Sequence, residues 1–181
     1  AGHAGADLKD MAGARARLAL AAMAGKRVAV DPERAVSAIF SRLASGGATL
    51  VETRDPTVLP RAIKNTVEQG GHRAAQKRDG AALTRFLHWL SVEAPKGGQT
   101  ELSAAAKLQG FRAATGLLRD LSFDTISAAG PHAALPHYRV DEGSNLEIAP
   151  RSIYLVDSGG QYLDGTTDVT RTVWIGPGEP T

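Results

Sequence analysis

Cysteine is absent from the 181-residue chain. Disulfides, thiolate metal sites, zinc fingers and iron–sulfur clusters are therefore excluded, which is compatible with a cytoplasmic protein. Charge of one sign is also scarce. The formal net charge is only +2, and basic residues are scattered, as in Lys26-Arg27 and Lys77-Arg78. The sequence pI of about 9.1 thus supports no nucleic-acid partner, which would need a clustered basic face. No long hydrophobic run is present either. Residues 18–24 are apolar and alanine-rich but too short to span a bilayer. Asp7, Lys9 and Asp10 precede them and Lys26-Arg27 follow, so they read as a helix of a soluble domain, with no membrane partner expected. Internal repeats and low-complexity segments are lacking as well.

What is present suits a folded α/β protein. Apolar residues make up 43% and charged residues 22% of the chain, enough for one or two domains with a sizeable core. Arg27–Val30 reads as a strand. Asp31, Pro32 and Glu33 have the types that open a helix, whose apolar stripe is Ala35, Ile39 and Leu43 and which Ser45-Gly46-Gly47 ends. Residues 48–52 read as a second strand, giving a β-α-β unit with a parallel pair. The polar, proline-bearing residues 53–60 mark the expected domain boundary.

Asn65 and Glu68 have capping-box spacing and open a helical pattern to about Leu90. Val67, Ala74, Ala75, Ala82, Phe86 and Trp89 can share its buried side. Gly70-Gly71 weakens its first turns, by roughly 1 kcal/mol per glycine relative to alanine, so a later start is possible. Thr100 caps a further helix to about Ala114, with Leu102, Ala105, Leu108 and Arg112 at helical spacing. Residues 122–127 alternate like a strand, and residues 128–139 read as a loop or an irregular strand entry.

The most informative stretch is 153–175, IYLVDSGGQYLDGTTDVTRTVWI. Two β-prone runs flank a glycine-rich connection, the pattern of an antiparallel hairpin. Asp157 ends the first run and Asp168 opens the second. In a pleated strand Leu155 and Asp157 share one face, and Asp168, Thr170 and Thr172 share another. If the strands pair, the carboxylates can converge, and a divalent metal is their natural neutraliser.

Three motifs in order then make a resemblance. They are Ser122-Phe123-Asp124-Thr125-Ile126-Ser127, then Gly130-Pro131-His132-Ala133-Ala134 with His137-Tyr138-Arg139, then Asp157-Ser158-Gly159-Gly160-Gln161-Tyr162 with Gly165-Thr166-Thr167-Asp168-Val169-Thr170-Arg171-Thr172. Together they resemble the Xaa-Pro aminopeptidases, in the long, three-domain form of this branch of the pita-bread metallopeptidases, family M24. The resemblance covers roughly residues 62–181. It implies that residues 61–181 are the N-terminal half of a pita-bread catalytic domain and that residues 1–60 are the end of a creatinase-like middle domain. It also implies a homodimer and a two-metal centre, manganese foremost, with zinc or cobalt the alternatives. The implied reaction releases the N-terminal residue from peptides with proline second.

Residue by residue, the resemblance makes Asp157 and Asp168 two of five metal ligands and His137 the catalytic histidine beside the site, which contacts the substrate or intermediate. Thr170, beside Asp168, is then placed to orient it. A tertiary amide at proline has no N–H for a protease to read, whereas two metals can activate water and polarise the carbonyl without it. All-oxygen ligation suits a hard ion. The remaining ligands, a histidine and two glutamates, have no counterpart in the sequence. The chain therefore reads as a fragment expected to be inactive and to hold metal weakly on its own. A prolidase-like dipeptidase would keep the same two aspartates. A non-catalytic peptide-binding module of this fold would typically lose them.

Overall fold

The computed structural model describes residues 18–180. Two compact units divide between Ile63 and Lys64. In the first, β1 (Arg27–Val30) pairs in parallel with β2 (Thr49–Glu52), joined by helix α1 (Ser37–Ser45). Leu43 is its buried apolar anchor, and Gly47 leaves the helix at φ +82°. Asp31 does not cap α1 as the sequence suggests. Its carboxylate accepts from the amides of Glu33 (2.9 Å) and Asp55 (2.8 Å), tying the end of β1 to the chain beyond β2. Engaged there, it leaves α1 to begin at Ser37 after Val36, without a side-chain cap. A short helix, α2 (Val58–Ala62), closes this unit.

The second unit begins with the long helix α3 (Thr66–Glu93), which starts where its capping box dictates. Asn65 Oδ1 accepts the Glu68 amide and the Glu68 carboxylate accepts the Asn65 amide, both at 2.9 Å. The two glycines do not delay the helix. Its buried side differs in part from the expected stripe: Val67 is 82% exposed and Ala74 is exposed, whereas Asp79, Leu83 and Leu90 are buried. Helix α4 (Glu101–Ala113) follows, capped by Thr100 and Ser103.

Residues 122–125 do not continue a strand. Asp120–Leu121 (β3) pairs with Gly160–Gln161 (β6), and Ile126–Ala129 (β4) pairs with Ser152–Ser158 (β5). The intervening residues turn the corner between the two sheets, with Ser122 held by Gly159 O and Thr167 O. Strand β7 (Val169–Ile175) completes the antiparallel order β4-β5-β7. One face of this sheet carries Tyr154, Val156 and Ile175, which join Phe86, Leu90 and Leu108 of the helices in the core. Each such side chain contributes about 1.5–3 kcal/mol on burial. The opposite face carries Asp157 and Thr170 at one end, beside Leu155 and the buried Ala128.

Candidate metal centre

Strand β5 is the centre of its sheet, so Asp157 is bracketed by Ile126 on β4 and Thr170 on β7. Directly paired residues share a face. Asp157, Leu155, Thr170 and Thr172 therefore lie on one face, rather than on two as strand alternation alone leaves open. Asp168 immediately precedes Val169, the first residue of β7, which pairs with Ser158. Continued back by one residue, strand alternation puts Asp168 on the side of Thr170, toward Asp157. The two aspartates thus stand at the same end of the hairpin. Thr170 lies directly across from Asp157 as well as two residues from Asp168.

Asp157 Oδ1 is buried and has no hydrogen-bond partner. A bare buried carboxylate oxygen is costly unless a cation or donor meets it. Asp168 is exposed, and so is Thr170. Two carboxylates, one with an uncommitted inward oxygen, fit a hard divalent ion. Among the described residues no cluster of three or more His, Asp or Glu side chains is placed to hold a metal. The two aspartates by themselves therefore form no closed site.

The connection between the aspartates is clamped onto α3. A Cβ on Gly71 would overlap the Asp164 carbonyl, and one on Gly165 would come within 3.0 Å of Ala75 Cβ. Arg78 grips Asp164 with both guanidinium nitrogens (2.9 and 3.1 Å) and lies 4.9 Å over the Tyr162 ring. Deeper in, Tyr162 donates to Asp79 Oδ1 (2.7 Å), and Arg112 of α4 donates to both Asp79 oxygens (2.7 and 3.0 Å). Burial pushes the Asp79 carboxyl up, but the hydrogen bonds from Arg112 and Tyr162 outweigh it and hold it below the usual carboxylate range. Thr167, wholly buried beside Asp168, accepts the Gly160 amide (2.8 Å) and closes the loop on itself. A Cβ on Gly159 would collide with the Thr167 carbonyl. These contacts set where Asp168 emerges relative to Asp157.

His137 follows a 3-10 turn (Gly130–Ala134) and is exposed, with a left-handed backbone at φ 55°. Only Arg151 shares that conformation among described residues other than glycine. Such a backbone costs on the order of 1–3 kcal/mol and concentrates at functional sites. No metal-ligating cluster joins the His137 imidazole to the aspartates. Its neighbours hold the loop: Tyr138 is buried, and Arg139 pairs with Asp124.

Sequence reasoning missed the buried Asp79 and Glu101. Each sits in a helix where charge normally faces water. The only local hint is that Arg112 falls in the apolar stripe of its helix, which a buried arginine does only with a buried acid nearby.

A helix-backed antiparallel sheet thus carries two aspartates at one end of its hairpin, a donor set that suits a hard divalent ion. Residues 70–181 match the model of metallopeptidase family M24; the chain belongs to that family. It is 49% identical over 137 residues to a "Probable Xaa-Pro aminopeptidase P" from Aspergillus clavatus, covering 74% of this chain and 21% of that protein. The X-prolyl aminopeptidase from Caenorhabditis elegans, described as a cytosolic enzyme with a di-nuclear active site, superposes with a TM-score of 0.73 at 40% identity. That match covers 84% of this chain and 25% of the other. An Xaa-Pro dipeptidase from Bacillus anthracis shares the fold at 24% identity, with a TM-score of 0.66 over 86% of this chain and 41% of its own. The pita-bread fold expected from the motifs is thus the observed one. The chain spans about a fifth of the length of the curated relatives it matches. Among the described residues no helix is long and apolar enough to cross a membrane.

Proposed function

We propose that the protein is a two-metal aminopeptidase that releases the N-terminal residue from peptides with proline at the second position. The observation that carries the reading is the bare, buried Oδ1 of Asp157 at the hairpin end where Asp168 emerges. The 49% identity to a probable Xaa-Pro aminopeptidase P supports the substrate class. Asp157 and Asp168 supply two of the metal ligands, and Thr170, opposite Asp157, orients them. When bound, the metals supply a Lewis acid for the scissile carbonyl and an activated water. Two carboxylates alone do not fix a two-metal geometry, so tight binding needs the histidine and two glutamates that the family resemblance implies. His137 contacts the substrate. Manganese, a homodimeric assembly and a cytoplasmic location belong to the same proposal, as does the assignment of residues 1–60 to a creatinase-like domain.

The test is cleavage, by the metal-loaded protein carrying the full ligand set with its histidine and two glutamates, of three peptides: an Xaa-Pro-Xaa tripeptide, an Xaa-Pro dipeptide and an Xaa-Ala-Xaa tripeptide. Preference for the first is expected. Preference for the dipeptide would replace this reading with the prolidase-like one. Peptide binding without cleavage of any of the three would favour a binding module.

A further inference from the structure

Glu101 is wholly buried at the first residue of α4, and four donors converge on its two carboxylate oxygens. Oε1 accepts the Ala129 amide (2.7 Å) and faces His132 Nδ1 (2.8 Å). Oε2 accepts the Tyr138 hydroxyl (3.0 Å) and the Leu146 amide (3.0 Å). These donors are spread along one segment, residues 129–146: its start, its 3-10 turn, its middle and its end. His137 lies inside that segment, next to Tyr138, in its left-handed conformation. The His132 and Tyr138 rings stack at 4.3 Å between centroids, so the turn and the residue after His137 are also held to each other. Tyr138 reaches Ser144 Oγ (3.0 Å), which in turn accepts the Asp141 amide (2.9 Å). The Glu101 main chain adds a bond from its amide to Leu146 O (3.0 Å), and its carbonyl accepts from Ser127 (2.7 Å).

One side chain from outside the segment thus meets it at four places. Charge-assisted bonds to a carboxylate are roughly twice as strong as neutral ones, and in a buried setting they permit little alternative geometry. We propose that Glu101 is the positioning residue for His137: it fixes the 129–146 segment so that the imidazole is held out at one place and angle. The inference rests on the substrate role proposed for His137, because only then does its placement matter to turnover. Glu101 itself is too deeply buried to meet a peptide.

The test combines hydrogen exchange with a double-mutant cycle on the metal-loaded protein carrying the full ligand set, histidine and two glutamates included. Glu101→Gln keeps the volume but turns an amide NH2 toward donors. It is expected to speed amide exchange across residues 130–146 at least tenfold while leaving β5, β7 and α3 protected and metal content unchanged. It is also expected to lower kcat/KM for an Xaa-Pro-Xaa tripeptide tenfold or more in the native background, but less than twofold when His137 is already alanine. A purely structural role would cost the same factor in both backgrounds. That result, or unchanged exchange in the segment, overturns the inference while leaving the aminopeptidase reading intact. An His137→Ala protein with native kcat/KM would remove the substrate role of His137 and the inference with it. If Glu101→Gln fails to fold, Tyr138→Phe deletes one of the four donors and keeps the ring. It should show the same non-additivity at smaller size, and additivity there would equally sink the proposal.

Discussion

Replacing Asp79 by asparagine separates the clamp on the ligand-bearing loop from the fold it is embedded in. Asp79 and Arg112 have side chains 1% and 0% exposed, joined by two hydrogen bonds. Asparagine fills the same space but presents an NH2 where the guanidinium needs an acceptor, leaving a buried cation uncompensated. Breaking one side of such a pair costs about 3–5 kcal/mol. The unit from Lys64 onward has about 120 residues, and an unfolding entropy of roughly 2.1 cal/mol/K per residue converts that loss into roughly 12–20 °C of Tm. Thermal unfolding of the metal-free protein, followed by circular dichroism, reads this directly. Arg112 Nη1 already lacks a partner, so the pair is imperfect, and Asp79→Leu with Arg112→Met should cost less than Asp79→Asn alone. Metal affinity is the second readout. With Tyr162 released from Asp79, the 159–168 connection loosens, and affinity should fall about 10–100-fold, the usual scale for groups that orient ligands. A loss below about 1 kcal/mol would refute the energetic reasoning. A large loss of Tm with unchanged metal affinity would refute the positioning role.

Three further expectations can be checked with simple variants. Gly70→Ala, with open space around the added methyl, should stabilise the protein by about 0.5–1 kcal/mol. Gly71→Ala, whose methyl meets the Asp164 carbonyl, should destabilise it by about 1–3 kcal/mol; chemical denaturation of both distinguishes a helix-propensity effect from a loop contact. The depressed carboxyl of Asp79 contributes stability that is complete above the ordinary carboxyl pKa of about 3.9 and is lost as pH falls through the lower folded value. Unfolding free energy should therefore fall steeply below about pH 4, and less steeply in Asp79→Asn. Asp157→Asn and Asp168→Asn should each abolish metal binding measured by calorimetry while shifting Tm of the metal-free protein by less than the Asp79 variant does. Asp157→Asn should shift it least, because its Oδ1 has no bond to lose.

The sequence yielded whatever was local. The two helix starts were legible because Asn65 with Glu68, and Thr100 as a cap, act within one turn of backbone. The hairpin was legible because strand alternation and a glycine-rich connection are read within about twenty residues, and its two aspartates came with it. The misreadings have non-local causes. Asp31 looks like a helix cap, yet its carboxylate is engaged by an amide 24 residues away. Residues 122–125 alternate like a strand, but the chain there changes sheets around Gly159. Asp79 and Glu101 have the residue types of exposed helix positions. Only partners 25–85 residues distant, such as Tyr162 for Asp79 and Leu146 for Glu101, explain their burial.

The central claim is that Asp157 and Asp168 are metal ligands of a two-metal peptidase centre. Diffraction from manganese-loaded crystals at the manganese absorption edge tests it most directly. Two anomalous peaks are expected where the 159–168 connection joins the two strands, at least one within coordination distance of Asp157 and both within reach of Asp168. Metal bound elsewhere, with both aspartates free of it, would contradict the account.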